Sequence, residues 1–203
     1  MSDGPSFSRR QASIDRTTAE TDVSVDLSLD GDGSYDVDTG VVFFDHMLDL
    51  FAKHGALDLT VRCDGDLHVD DHHTVEDVAI TLGQATRQAL GDKAHIARYG
   101  HAYVPMDDAL ARAVIDLSGR AYHRLDASFG REEVGDLSTE LVPHVWRSFA
   151  EHAACNLHQT VLHGHDTHHK IEALFKATAQ ALQKAVRRSA DHAEVASTKG
   201  TLS

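Results

Sequence analysis

The sequence predicts an α+β fold built of two similar halves, and three observations predict it. Motif pairs repeat at a nearly constant offset, some apolar residues alternate at strand period, and others recur at helical period. His46-x-x-x-x-Phe51-Ala52-x-His54 matches His144-x-x-x-x-Phe149-Ala150-x-His152, 98 residues on. His72-His73-x-x-Glu76 matches His168-His169-x-x-Glu172, 96 residues on. The motifs keep their order and their separation changes by one short indel, which argues for an internal duplication.

In the first half, Val23, Val25, Leu27 and Leu29 alternate with polar residues, the pattern of a half-buried strand, and Asp30-Gly31-Asp32-Gly33 closes it with turn-forming residues. Phe43, Phe44, Met47, Leu48 and Phe51 then fall at helical spacing, with Gly55 as the expected stop. Leu57, Leu59, Val61 and Cys63 alternate again, and Val75, Val78, Ala79, Leu82 and Ala85 mark a longer amphipathic helix. The second half repeats the scheme: a strand from Val114 to Leu117, a helix from Val145 to Ala153, and a strand from Leu157 to Leu162. A last helix carries Ile171, Leu174, Phe175, Thr178, Ala181, Leu182 and Ala185 on one stripe. Each half is a sheet with one apolar face and two helices, so the helices of both halves should pack together around one core. The expectation is a single compact domain over 1–203, with halves of about 6–92 and 93–190 and a C-terminal tail, 191–203.

A chain of 203 residues with 41% hydrophobic content can bury a substantial core, which excludes disorder as its main state. The formal net charge is −13, with 32 acidic against 19 basic residues, and such a surface repels a nucleic-acid backbone. Cys63 and Cys155 stand far apart with no partner motif, so neither a disulfide framework nor a thiolate zinc site is expected, and a reducing, cytoplasmic setting fits. No basic region followed by an apolar stretch opens the chain, and no segment approaches the roughly 18 apolar residues of a membrane span.

The unusual number is 16 histidines. Histidine is the commonest transition-metal ligand, and its placement here is patterned. On a helix, Glu76 shares a face with either His72 or His73, and Glu172 with either His168 or His169. Adjacent helical residues diverge by about 100°, so each His-His pair suits two different ions better than one. His46, His72, His73, Glu76, His144, His168, His169 and Glu172 make eight candidate ligands, four for each of two ions. Imidazole with carboxylate suits Mn, Fe, Co, Ni or Zn. A solvated helix face is the alternative for one such pair, and its repetition, each time behind a matching His motif, argues against that. His54 and His152 also repeat but read as supporting or structural.

The segments Arg16-Thr17-Thr18-Ala19-Glu20-Thr21, Phe43-Phe44-Asp45-His46-Met47-Leu48, Asp70-Asp71-His72-His73-Thr74-Val75-Glu76-Asp77, Pro105-Met106-Asp107-Asp108-Ala109-Leu110, Asp116-Leu117-Ser118-Gly119-Arg120 and Ser197-Thr198-Lys199-Gly200 go further. With them the chain resembles the imidazoleglycerol-phosphate dehydratases over almost all its length. The resemblance implies duplicated halves of the ribosomal-protein-S5-domain-2-like type, two sheets enclosing four helices, and two Mn²⁺ per active site. It also implies a 24-subunit assembly with active sites at subunit interfaces and ligands from more than one chain. The implied reaction, in histidine biosynthesis, dehydrates D-erythro-imidazole glycerol phosphate to imidazole acetol phosphate through a metal-bound imidazolate and a diazafulvene-like intermediate. Glu20 matches the family's acid-base residue; Arg98, Arg120, Ser197 and Lys199, the last two in the substrate-binding tail, match its phosphate-binding positions, with Lys176 a second candidate. Leu50 stands where many relatives carry Gln, and Ala196 where Pro often precedes the Ser-Thr-Lys-Gly segment. A metal-buffering oligomer needs neither Glu20 nor phosphate ligands. A metal-dependent hydrolase, the third reading, would use the same metal ligands on esters without imidazole.

Overall fold

The alternation at Val23, Val25 and Leu27 puts all three side chains in the core from one central strand. The protein is described here by a computed structural model covering residues 8–188, 195–198 and 200–202. The first half runs β1 (Gln11–Thr17), β2 (Thr21–Ser28), β3 (Tyr35–Asp38), α1 (Val42–Gly55), β4 (Asp58–Gly65) and α2 (His72–Leu90). The second runs β5 (Tyr99–Met106), β6 (Ala109–Asp116), β7 (Tyr122–Asp126), a short hairpin of β8 (Glu133–Val134) and β9 (Leu137–Ser138), α3 (Leu141–His152), β10 (Asn156–His163) and α4 (Thr167–Val186). Hairpin apart, both halves read strand, strand, strand, helix, strand, helix. The sheets are ordered β1-β2-β4-β3 and β5-β6-β10-β7, with β3 parallel to β4 as β7 is to β10 and the remaining neighbours antiparallel. The duplication expected from four motifs is thus present in the topology of the whole chain.

The helices pair across the halves: α1 packs on α4, and α2 on α3. In turn α2 lies on β1 and β2, and α4 on β5 and β6, so one apolar cluster runs from sheet to sheet through the helix layer. Removing these side chains from water drives the assembly. Packing on the second sheet is tight enough to require glycine. A Cβ on Gly100 of β5 would lie 1.9 Å from the Ala181 carbonyl oxygen and 2.8 Å from the Ala185 nitrogen of α4. Gly100→Ala must therefore push strand and helix apart, and urea denaturation should show a loss of about 3 kcal/mol. A loss under about 1 kcal/mol would mean that the two elements separate freely.

Boundaries differ from expectation at β6, which begins at Ala109 and not at Val114, and at the start of α3. Gly55 is the last residue of α1, as expected, and lies buried there, where a Cβ would crowd Leu57; it is Ala56 that takes the left-handed turn, at φ 50°. The packing need therefore outweighed the usual glycine at the left-handed position. Helix α3 begins at Leu141, before the expected Val145, because Leu141 and Val142 are also buried.

Arg10 and Asp30 tie the first strand to the turn after β2, with Nη2 to Oδ1 at 2.6 Å, and Arg10 Nη1 donates to the Val186 carbonyl (2.8 Å). Burial works against the Asp30 charge, but the Arg10 hydrogen bonds and charge, with Arg188, hold its carboxyl below the ordinary value. A depressed carboxylate stabilises the fold above its unfolded pKa of about 4 and loses that contribution as pH falls through the folded value. Asp30→Asn should cost about 1 kcal/mol at pH 7 and little at pH 2. Equal losses at both pH values would contradict this account of the pair.

Candidate active site

Helix ends place the repeated histidines. α1 has no side-chain cap of its own; Asp136, from the β8–β9 hairpin of the other half, accepts from the Val42 and Phe43 backbone N–H groups (2.7 and 2.8 Å). At α4, Asp166 accepts from the His168 and His169 N–H groups, and at α2 Asp70 accepts from that of His72. Capped first turns hold the histidines at the ends of the helix layer.

Cross-half packing then assembles two clusters. His46 of α1 meets His168 and Glu172 of α4: Glu172 Oε2 is 3.9 Å from His46 Nε2 and 3.0 Å from His168 Nε2. His144 of α3 meets His72 and Glu76 of α2: Glu76 Oε1 is 2.8 Å from His144 Nε2, and its Oε2 is 4.0 Å from His72 Nε2. Among the described residues these are the two groups able to hold an ion, each with its donor atoms within 4.8 Å of one another. Two imidazole nitrogens and one carboxylate oxygen form a donor set for a borderline divalent ion, so the residues fit metal binding. One chain brings three donors to each cluster, where four were expected.

His73 and His169 account for the difference. Their rings stand 6.1 and 6.0 Å from those of His72 and His168, at 73° and 74°. His73 Nδ1 is held by Asp66 (3.1 Å) and His169 Nδ1 by Asp108 (2.7 Å), leaving both Nε2 atoms outside the clusters. The Asp66 hydrogen bond raises the His73 pKa despite some burial, with Glu20 adding to it, and the Asp108 bond does the same for His169. Asp108, bound also by the N–H groups of His165 and Asp166, is pulled well below the carboxylate range. A carboxylate on one imidazole nitrogen orients the other for ligation. Asp108 was within reach of sequence reasoning, inside the quoted Pro105–Leu110 segment, whereas Asp66 lies on a turn with no motif around it.

Glu20 lies on the turn between β1 and β2, half exposed, its Oε1 3.8 Å from His73 Nε2. The segment around it builds that turn. Thr18 Oγ1 accepts from the Glu20 and Thr21 N–H groups, Thr21 Oγ1 donates to Asp77 Oδ2 (2.5 Å), and Arg16 pairs with Asp77 Oδ1 (2.9 Å). Asp77 is buried one helical turn after His73, so Glu20 is tied to the helix that carries the cluster.

Arg98, Arg120 and Ser197 come together, with Tyr99, Thr198 and Leu202, around a cavity of about 650 Å³. Arg98 donates to both carboxylate oxygens of Asp116 (2.7 and 3.1 Å) and to the Ala196 carbonyl (2.6 Å). Ala196 thus serves through its backbone carbonyl. Lys199 lies outside the described residues. Lys176 is elsewhere: its Nζ pairs with Glu172 Oε1 at 2.5 Å. Burial opposes the Glu172 charge, yet Lys176 and then His168 keep the carboxyl below its ordinary value. Leu50 is partly buried against the core, His152 Nδ1 lies 2.9 Å from the Ser148 carbonyl, and burial with the nearby Lys176 charge lowers the His54 pKa.

A duplicated α+β body that assembles two His-His-Glu groups able to hold an ion, each from opposite halves, with a basic cavity at the far end of α4, defines a class of proteins with paired candidate metal centres. Comparison with known proteins selects within that class. Residues 39–182 match the family model described as imidazoleglycerol-phosphate dehydratase, and the chain belongs to that family, whose members are hydro-lyases. The imidazoleglycerol-phosphate dehydratase of Salinibacter ruber is 81% identical over 98% of both chains. That of Chloroherpeton thalassium is 53% identical over 96% of this chain and 99% of its own. The crystal structure of the Staphylococcus aureus enzyme superposes with a TM-score of 0.80 at 39% identity, covering 88% of this chain and 99% of that one. No helix among the described residues is long and apolar enough to cross a membrane.

Proposed function

We propose that this chain dehydrates D-erythro-imidazole glycerol phosphate to imidazole acetol phosphate in histidine biosynthesis, with two Mn²⁺ ions, or other divalent transition ions, held by the two clusters. The observation that carries this reading is the pair of His-His-Glu clusters, one from His46, His168 and Glu172 and the other from His72, Glu76 and His144. His73 and His169, each oriented through Nδ1, offer Nε2 to a centre shared with a neighbouring chain, as a 24-subunit assembly with interfacial sites requires. Held by His46, His168 and Glu172 and by His72, Glu76 and His144, such ions would supply Lewis acidity toward the imidazole ring of the substrate.

The chain's own groups do the remainder. Glu20, on its braced turn beside His73, exchanges the proton on the carbon next to the one that loses hydroxyl. Arg98 and Arg120, with Ser197 and Lys199 of the tail, bind the phosphate; guanidinium matches phosphate geometry, and Arg98 is already oriented by Asp116. The two free cysteines support a reducing, cytoplasmic setting.

The test is turnover of imidazole glycerol phosphate by metal-stripped protein with and without added Mn²⁺. Product only with Mn²⁺ supports the proposal. If the manganese-loaded protein makes none, metal binding without this chemistry becomes the better account, and hydrolysis of phosphate esters lacking imidazole would point to a metal-dependent hydrolase.

A further inference from the structure

Lys93 lies on the connection between α2 and β5, in a left-handed turn at φ 59° that aims its side chain inward, and it is only 6% exposed. A buried ammonium needs acceptors, and its Nζ reaches the Leu202 carbonyl at 3.4 Å. Burial lowers the pKa of its amine, with the neighbouring Arg87 adding to the effect. Leu202 borders two cavities at once. One, of about 490 Å³, is lined by Lys93, Arg87 and Gly119; the other is the cavity of Arg98, Arg120 and Ser197. At the near end of the same strap, the Ala196 carbonyl accepts from Arg98 (2.6 Å). Between these two held carbonyls the chain turns, the Gly200 N–H donating to the Ser197 carbonyl (3.0 Å) with Gly200 at φ 71°.

We propose that Lys93 is a positioning residue: together with Arg98 it clamps the C-terminal strap so that Ser197 and Thr198 close one side of the phosphate cavity. The inference rests on reading that cavity as the phosphate site. Lys93 does not line the cavity and acts through the strap. Its removal should therefore weaken substrate binding without slowing the chemical step, since the reacting groups lie on other elements. Methionine keeps the stem and removes a buried charge, so the fold should not suffer.

The experiment compares four manganese-loaded proteins with wild type on imidazole glycerol phosphate: Lys93→Met, a chain shortened to end at Thr201, the two combined, and Arg120→Met. The clamp predicts that Lys93→Met raises KM about tenfold, leaves kcat within about twofold and does not lower Tm. It also predicts a similar rise for the shortened chain and no further rise on combination, since both changes break one contact. An unchanged KM in Lys93→Met beside a raised KM in Arg120→Met overturns the clamp and leaves the phosphate site standing. Effects that multiply to about a hundredfold show Lys93 acting independently of the strap, and a fall in kcat with Tm shows a merely structural lysine; either overturns the inference. An unchanged KM in Arg120→Met removes the phosphate reading and the clamp with it.

Discussion

Glu172→Gln is expected to lower the bound manganese from two ions per chain to one and to reduce turnover about a thousandfold, and Glu76→Gln to do the same through the other cluster. Each carboxylate is the only anionic member of its donor set, so its loss removes the charge that holds the ion. The two substitutions should nevertheless differ in the metal-free protein. Glu172 is buried and neutralises the partly buried Lys176, so glutamine there leaves that ammonium without its counter-charge and should also destabilise the fold by about 2 kcal/mol. Glu76 is about a third exposed and has no lysine partner among the described residues, so Glu76→Gln should leave stability within about 0.5 kcal/mol. Elemental analysis of the desalted protein, steady-state kinetics and urea denaturation of metal-free samples check the three parts. Two ions retained with activity near wild type would remove these clusters from the mechanism.

Glu20→Gln should separate proton transfer from metal binding. The turn that carries Glu20 is held by Thr18, Thr21, Arg16 and Asp77 through contacts that do not use the Glu20 carboxylate. Glutamine keeps the shape and loses only the proton acceptor, so kcat is expected to fall by about 10²–10⁴ with two Mn²⁺ still bound and KM little changed. Activity within tenfold of wild type would assign the proton to another group. Loss of manganese along with activity would make Glu20 a ligand.

The parts of the fold legible from sequence share a physical property. The strands read from alternation, β2, β4, β6 and β10, are the inner strands of the two sheets, paired on both sides. The strands not read, β1, β3, β5 and β7, are the four edges. Edge strands are short or weakly patterned: β3 is Tyr-Asp-Val-Asp, and the inward residues of β5 include Gly100 and Ala102, small because α4 lies against them. The hairpin β8–β9 was invisible for a related reason, since its role, capping α1 with Asp136, is defined by a contact 93 residues away.

The candidate site divides in the same way. Sequence alone determined the duplication, the ligand types, and the presence of two His-x-x-x-Glu pairs on helices, because helical periodicity relates residues four apart wherever the helix goes. It left open whether Glu76 would side with His72 or His73, and which of His46 and His144 would join which pair. Only the tertiary structure decided these, because α1 buries its apolar stripe against α4 and α2 against α3. That packing carries His46 to the second half's pair and His144 to the first half's. The partner of a helix face is set by the volume and shape of many side chains at once, and no spacing along the chain encodes it.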